Sequence, residues 1–111
     1  MQNTRGKSIM LPDKIKSNYK YLETVNLKEF GIRKKIEIFV AKDLGDQISI
    51  IFHISQKSRF LQKDADKIEE ISDIVTKNIK YTITSKIILI ESPLCSKAKA
   101  KLEELQWNVI I

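Results

Sequence analysis

The only cysteine of the chain lies where an aliphatic run gives way to a helical pattern. It falls within "ESPLCSKAKAKLEELQW", residues 91–107. Ser92 suits a helix N-cap and Pro93 the first helical position, so Cys95 is predicted in the first turn. The free amides of a first turn, together with Lys97, lower the pKa of a thiol and favour the nucleophilic thiolate. A reactive thiol is the first chemistry that the sequence allows.

The string "SPLCSKAKAKLEEL" resembles the strand-to-helix turn of the glutaredoxin and arsenate reductase families. In those families Pro-x-Cys-Ser-Lys opens a helix that ends in Leu-Glu-Glu, and residues 93–97 and 102–104 follow that pattern here. The resemblance is confined to this turn and helix. It implies a thiol-dependent redox or transfer enzyme that uses Cys95.

The periodicity around the cysteine favours another interpretation. Cys95, Ala98, Leu102 and Leu105 are spaced by three, four and three residues and so share one helix face. In an α/β protein such a face packs on the sheet, and a free cysteine commonly behaves as a small apolar residue. We therefore predict that Cys95 is a core residue, with the reactive thiol as the alternative.

The only histidine, His53, lies within a strand-like pattern and is distant in sequence from Cys95. One histidine and one cysteine so separated provide no metal-ligand spacing. The chain also contains no glycine-rich phosphate loop, paired-carboxylate motif or nucleophile elbow. We therefore expect no metal, no cofactor and no catalytic residue, and we interpret His53 as structural.

A further group of side chains suits anion binding. Lys57, Ser58 and Arg59 follow one apolar run, and Ser92 and Ser96 follow another. If the two runs are parallel neighbours in a sheet, their carboxyl ends meet at the edge where ligands of open α/β sheets bind. Cations, hydroxyls and helix N-termini could bind phosphate there. The alternative is that Ser58 and Ser92 only cap helices, while Lys57 and Arg59 are only solvated.

The net charge of +6 is concentrated near the N-terminus. Residues 1–35 contain nine basic and three acidic residues, whereas residues 36–111 contain eleven of each. A basic segment of this kind predicts contact with nucleic acid or another polyanion, because neutralised phosphates release counterions. The residues of this segment that we assign to phosphate contact are Arg5, Lys7, Arg33, Lys34 and Lys35. The alternative is a merely solvated, lysine-rich segment.

The elements that position these residues indicate an α/β fold. Residues 36–40 and 48–54 alternate with a period of two, and the loop between them contains Gly45 at a position suited to positive φ, which predicts a hairpin. A helical pattern over 61–79, an aliphatic run over 87–90, a second helix and the terminal strand "WNVII" follow. The prediction is a β-β-α-β-α-β mixed four-stranded sheet, with an antiparallel first hairpin and then two crossovers.

We divide the chain into a basic N-terminal extension, residues 1–34, and a compact α/β domain, residues 35–111. Within the extension, the spacing of Ile15, Tyr19 and Leu22 after Pro12 predicts a short helix. No apolar run is long enough for a signal peptide or a membrane span. We therefore expect a cytoplasmic protein with no membrane partner.

Together these patterns favour a small cytosolic α/β binding module that contacts an acidic partner, with nucleic acid as the first choice. The contacts would be made to phosphates by the basic N-terminal segment, with Lys57 and Arg59 as a further contact. The thiol enzyme that uses Cys95 is one alternative. A protein–protein interaction or assembly module is another, because the terminal "NVII" strand must hide its edge within the sheet or against another copy. The sequence therefore leaves open whether the protein forms a homo-oligomer.

Overall fold

The computed structural model of the chain describes residues 11–34 and 36–111. Within these residues a five-stranded sheet carries two α-helices. In chain order the elements are β1 (Tyr19–Thr24), a short 3₁₀ helix (Leu27–Phe30), β2 (Glu37–Asp43), β3 (Ile48–Ile54), α1 (Gln62–Asn78), β4 (Ser85–Ile90), α2 (Ser96–Glu104) and β5 (Trp107–Ile110). The strands lie in the sheet in the same order as in the chain. The predicted mixed α/β fold is confirmed.

The antiparallel half of the sheet is built from β1, β2 and β3. The predicted hairpin joins β2 to β3, and the Asp43 carboxylate closes it by accepting from the amides of Gly45 at 2.8 Å and Gln47 at 2.9 Å. Positive φ falls on Asp46, at 64°, and not on Gly45 as expected. Aspartate tolerates this conformation in turns, so the glycine is not needed for it.

The parallel half of the sheet contains β3, β4 and β5, joined by α1 and α2 as predicted. Both helices pack on one face of the sheet, because their apolar residues recur at helical spacing. The buried helix residues on that face are Ala65, Ile68, Ile71, Val75, Ala98 and Leu102. Within the described ranges, neither helix is long and apolar enough to cross a membrane.

The N-terminal part corrects two predictions. The sheet has five strands and not four, because Tyr19–Thr24 pairs with β2 as an edge strand. The predicted short helix is absent from the described residues 12–25, where turns span 13–18 ahead of β1. Ile15 and Tyr21 pack on one face of the sheet, and Leu22 packs on the other. These residues belong to a turn and to β1, so their spacing does not reflect a helix. The division at residues 34 and 35 stays a prediction.

The face of the sheet opposite the helices has its own apolar layer. Phe39 and Ile51 are fully buried there, and Leu11 and Ile15 pack against them from the segment before β1. The sheet is therefore buried on both faces, as its long aliphatic strands require.

A shared carboxylate fixes the last strand to α1. Glu69 accepts from Trp107 Nε1 at 2.8 Å and from Lys86 Nζ at 3.0 Å. The Lys86 ammonium also lies 5.0 Å from the centroid of the Trp107 ring, and Trp107 packs edge-on against Phe52. Glu69 thus connects α1, β4 and β5 through one side chain.

We expect Glu69→Ala to lower the free energy of unfolding by about 1–3 kcal/mol, because the buried Trp107 N–H loses its acceptor. The matched control is Glu70→Ala, since exposed Glu70 makes only a 3.4 Å pair with Lys67. The control loss should stay below about 0.5 kcal/mol. Urea unfolding followed by Trp107 fluorescence measures both, and equal losses would contradict the assignment.

Candidate functional site

Three loops meet at one end of the sheet. The loops after β3 and β4 leave the carboxyl ends of two parallel strands. The loop that enters β2 lies at the same end, because Glu37 at the start of β2 pairs with His53 near the end of β3. We call the surface formed by residues 31–34, 55–61 and 91–97 the loop end.

The loops after β3 and β4 are joined directly by backbone hydrogen bonds. The Phe60 amide donates to the Pro93 carbonyl at 2.8 Å, and the Cys95 amide donates to the Phe60 carbonyl at 3.0 Å. Phe60 and Leu94 thereby form an isolated parallel bridge beyond the two strands. The neighbouring position that parallel topology predicts for these loops is therefore observed.

Seven of the ten residues that the sequence assigns to phosphate contact lie at the loop end: Arg33, Lys34, Lys57, Ser58, Arg59, Ser92 and Ser96. Six of these are exposed, and Ser92 is half-buried. The other three, Arg5, Lys7 and Lys35, lie outside the described residues. Arg33 and Lys34 of the N-terminal group therefore lie at the same end of the sheet as the candidates of the body, which the sequence did not predict.

The serine caps that were considered as an alternative are not formed. The N-cap of α1 is Leu61, whose amide donates to the Asp64 carboxylate at 2.8 Å, and the N-cap of α2 is Cys95. The Ser92 hydroxyl donates to the Pro93 carbonyl at 3.3 Å instead. Ser58 and Ser92 thus lie in loops and not at helix caps.

The cations of the loop end have no carboxylate partner among the described residues. Within residues 11–34 and 36–111, Lys16 pairs with Asp13, Lys67 with Glu70 and Lys86 with Glu69, and His53 contacts Glu37 and Glu91. Arg33, Lys34, Lys57 and Arg59 take part in none of these pairs. Their positive charge therefore faces solvent, where a phosphate can reach it.

A histidine between two glutamates lies at the base of the loops. His53 Nδ1 lies 2.9 Å from Glu37 Oε1, and His53 Nε2 lies 2.9 Å from Glu91 Oε1. An ionised carboxylate only accepts hydrogen bonds, so each contact needs a proton on the ring nitrogen that faces it. The ring is well shielded, with 14% of its side chain exposed. We call these three residues the His53 cluster.

Sequence reasoning missed the His53 cluster because its members are far apart in the chain. Glu37 and Glu91 are 16 and 38 residues from His53 and meet it only through strand register. The one available signal was that Glu37 and His53 both fall in strand patterns. Within the described ranges, no group of three or more His, Cys, Asp or Glu side chains is arranged to hold a metal ion.

The observed position of Cys95 differs from the predicted one. It was expected inside the first helical turn, but α2 begins at Ser96 and Cys95 is the N-cap, with φ −73° and ψ 136°. The helix starts late because the Cys95 amide is held by the Phe60 carbonyl and continues the parallel pairing. Pro93 therefore precedes the helix and does not occupy its first position.

The environment of Cys95 combines packing with electrostatic stabilisation. Its half-buried side chain packs against the core on the helix side of the sheet. Its pKa is lowered first by the Ala98 amide, then by the Lys97 amide and the charges of Arg59 and Lys97, while partial burial opposes the shift. Core packing and an acidified thiol therefore occur at the same residue.

A shallow polar groove of about 530 Å³ lies at the opposite end of the sheet. It runs between the second half of α1 and the start of β4 and is lined largely by hydroxyl side chains, including Thr76 and Thr84. None of the seven described residues assigned to phosphate contact lines this groove, so the groove and the loop end are separate surfaces.

Comparison with known proteins identifies relatives in fold. No protein-family model and no curated protein sequence matches the chain. A solved structure of EndoMS in its apo form is 16% identical, with a TM-score of 0.59, over 92% of this chain and 39% of that one. A repair endonuclease from Pyrococcus abyssi is 14% identical, with a TM-score of 0.57, over 89% of this chain and 40% of that one.

At these identities the likeness is one of fold alone. The chain spans about two fifths of the length of each of these two chains.

We expect Cys95 to be alkylated by iodoacetamide with a pH midpoint below that of the same residue in urea. The surrounding amides and charges lower the pKa and leave more thiolate at a given pH, and the opposing effect of partial burial does not cancel this shift. Arg59→Gln should raise the midpoint, because it removes one of the charges that favours the thiolate. Lys57→Gln is the control and should shift it less; identical native and urea profiles would show that the environment does not acidify the thiol.

Proposed function

We propose that this chain is a nucleic-acid-binding module that contacts phosphates through the loop end of its sheet. The observation that carries the proposal is the set of exposed cations on adjacent loops, Arg33, Lys34, Lys57 and Arg59, which form no ion pair with the described residues. Arg5, Lys7 and Lys35 of the basic N-terminal segment extend the same contact in this proposal. The release of counterions from phosphates supplies the binding free energy.

The solved structures that share the fold support the class of partner. One of them is a repair endonuclease by name, and such proteins act on nucleic acid. From this likeness in fold we propose for the present chain only that its partner is nucleic acid.

The residue types of the loop end favour contact with the backbone over recognition of bases. Lysine, arginine and serine are the side chains that contact phosphate oxygens. The loop end contains one aromatic residue, Phe60, and it is 1% exposed. The described residues of the loop end therefore offer bases no exposed aromatic ring on which to stack, which favours contact with the phosphate backbone.

The two alternatives each retain one supporting observation. The lowered pKa of Cys95 supports the thiol enzyme, and the alkylation profile tests it. The position of β5 at the edge of the sheet formed by the described residues supports an assembly module and a homo-oligomer. Neither observation explains the unpaired cations, so phosphate binding is the function that we propose.

We expect the chain to bind a fluorescein-labelled 20-base-pair DNA duplex at about 50 mM salt and to lose most of this affinity by about 200 mM. Replacing both Lys57 and Arg59 by Gln should weaken binding at low salt by about tenfold. It should also reduce the slope of log K against log salt by up to about 2, since each lost phosphate contact removes about 0.9. Fluorescence anisotropy measures both quantities.

The matched control replaces Lys77 and Lys80 by Gln. Both lysines are exposed and lie at the far end of α1, so the net charge changes equally at a distance from the loop end. Affinity should then change by less than about twofold. Absence of binding at low salt, or equal weakening in both double variants, would contradict the proposal.

A further inference from the structure

We propose that the polar groove between α1 and the start of β4 binds a neutral sugar ring. The groove lies at the end of the sheet opposite the loop end, so this inference is independent of phosphate contact there. Its volume of about 530 Å³ falls within the range of small-molecule sites, which is about 300–1,000 Å³.

A buried hydroxyl group without a partner points to a ligand in this groove. Ser72 lies on the inward face of α1 beside Ile71 and Val75, and it is only 2% exposed. It lines the groove, yet its hydroxyl forms no hydrogen bond with any residue that the structure describes. Such a hydroxyl destabilises a fold, because it has lost its hydrogen bonds to water. A hydroxyl of a ligand in the groove supplies the missing partner.

Neighbouring side chains of the groove offer hydrogen-bond acceptors. Thr76 Oγ1 donates to a carbonyl of its own helix at 3.4 Å, and Thr84 Oγ1 donates to the Ile48 carbonyl at 3.0 Å. Both hydroxyl oxygens therefore remain as acceptors. The exposed Asp73 carboxylate adds two acceptor oxygens and forms no ion pair within residues 11–34 and 36–111. A ligand with several hydroxyl donors, such as a sugar, suits this surface.

The charges around the groove favour a neutral ligand over an ion. An anion would meet the Asp73 carboxylate, and the Lys86 ammonium is already held in an ion pair at 3.0 Å. A cation would meet the charge of Lys86 and that of Lys80, whose ammonium lies 5.6 Å from the centroid of the Tyr81 ring. Neither kind of ion therefore finds an uncompensated partner of opposite charge without a like charge beside it.

Gln106 and two apolar side chains complete the groove. Gln106 follows the C-cap of α2 with φ 72°, a left-handed conformation that favours glycine. Glutamine is less favourable than glycine at this position, but its amide gives the groove both a donor and an acceptor. Tyr81 and Ile83 are half-buried and offer apolar surface to the C–H face of a sugar ring.

The test titrates the nitrogen-15-labelled protein with D-glucose, uridine and deoxyuridine and follows the amide signals by NMR. The signals of the groove should shift more than those of the loop end, with a millimolar dissociation constant, because an open site buries few ligand atoms. Binding of glucose would identify a free sugar as the ligand, and binding of uridine but not deoxyuridine would identify ribose. No shift in the groove with any probe, or equal binding of the two nucleosides without glucose, would overturn the proposal.

Two substitutions separate binding from folding. Ser72→Ala should weaken binding about fivefold, the effect of one lost hydrogen bond, without lowering the free energy of unfolding. Gln106→Gly should also weaken binding but raise the free energy of unfolding, because glycine adopts positive φ without strain. Residues that served the fold alone would not show this combination.

The matched control is Ser55→Ala, because Ser55 is an exposed serine at the loop end. It should change neither the affinity for the sugar nor the stability. Undiminished binding by both Ser72→Ala and Gln106→Gly would show that the sugar contacts another surface and would overturn the proposal.

Discussion

The candidate site depends on the parallel pairing of β3 and β4 continuing past the ends of both strands. Two backbone hydrogen bonds at Phe60 hold the chain at Pro93 and Cys95 in extended conformation. These bonds delay the start of α2 and hold two basic or polar loops side by side. Phe60 is also buried in the core, so the packing of its side chain holds this paired segment in place. Without this pairing the two loops would be joined only at their base, where the Glu91 amide donates to the Ile54 carbonyl.

The positive character of the loop end arises from cations that form no ion pair among the described residues. Two of these four cations come from the basic first 35 residues, and two come from residues 36–111, where charges of both signs are equally numerous. Strand register brings Glu37 and Glu91 to His53 and not to these cations. The character of the surface therefore depends on which side chains the sheet brings together as well as on net charge.

Periodicity was sufficient to predict much of the fold. Four strands, two helices and the hairpin follow from apolar spacing, since burial on one or both faces imposes that spacing directly. β1 was missed because Ile15, Tyr19 and Leu22 are compatible with a helical repeat, and only pairing with β2 resolves the ambiguity. In the site, the shared edge of two loops was predictable from topology. The partners of His53 and the helix start at Ser96 were not, because both depend on contacts between segments far apart in sequence.

The agreement between sheet order and chain order has a consequence for how the molecule assembles. Among the described residues, each strand pairs only with the strands that precede and follow it in the sequence. The hairpin of β2 and β3 can form first, and each later strand then adds to an edge that already exists, so no strand must be inserted between two others. Sheet growth can therefore follow synthesis of the chain, with β5 as the last strand to join.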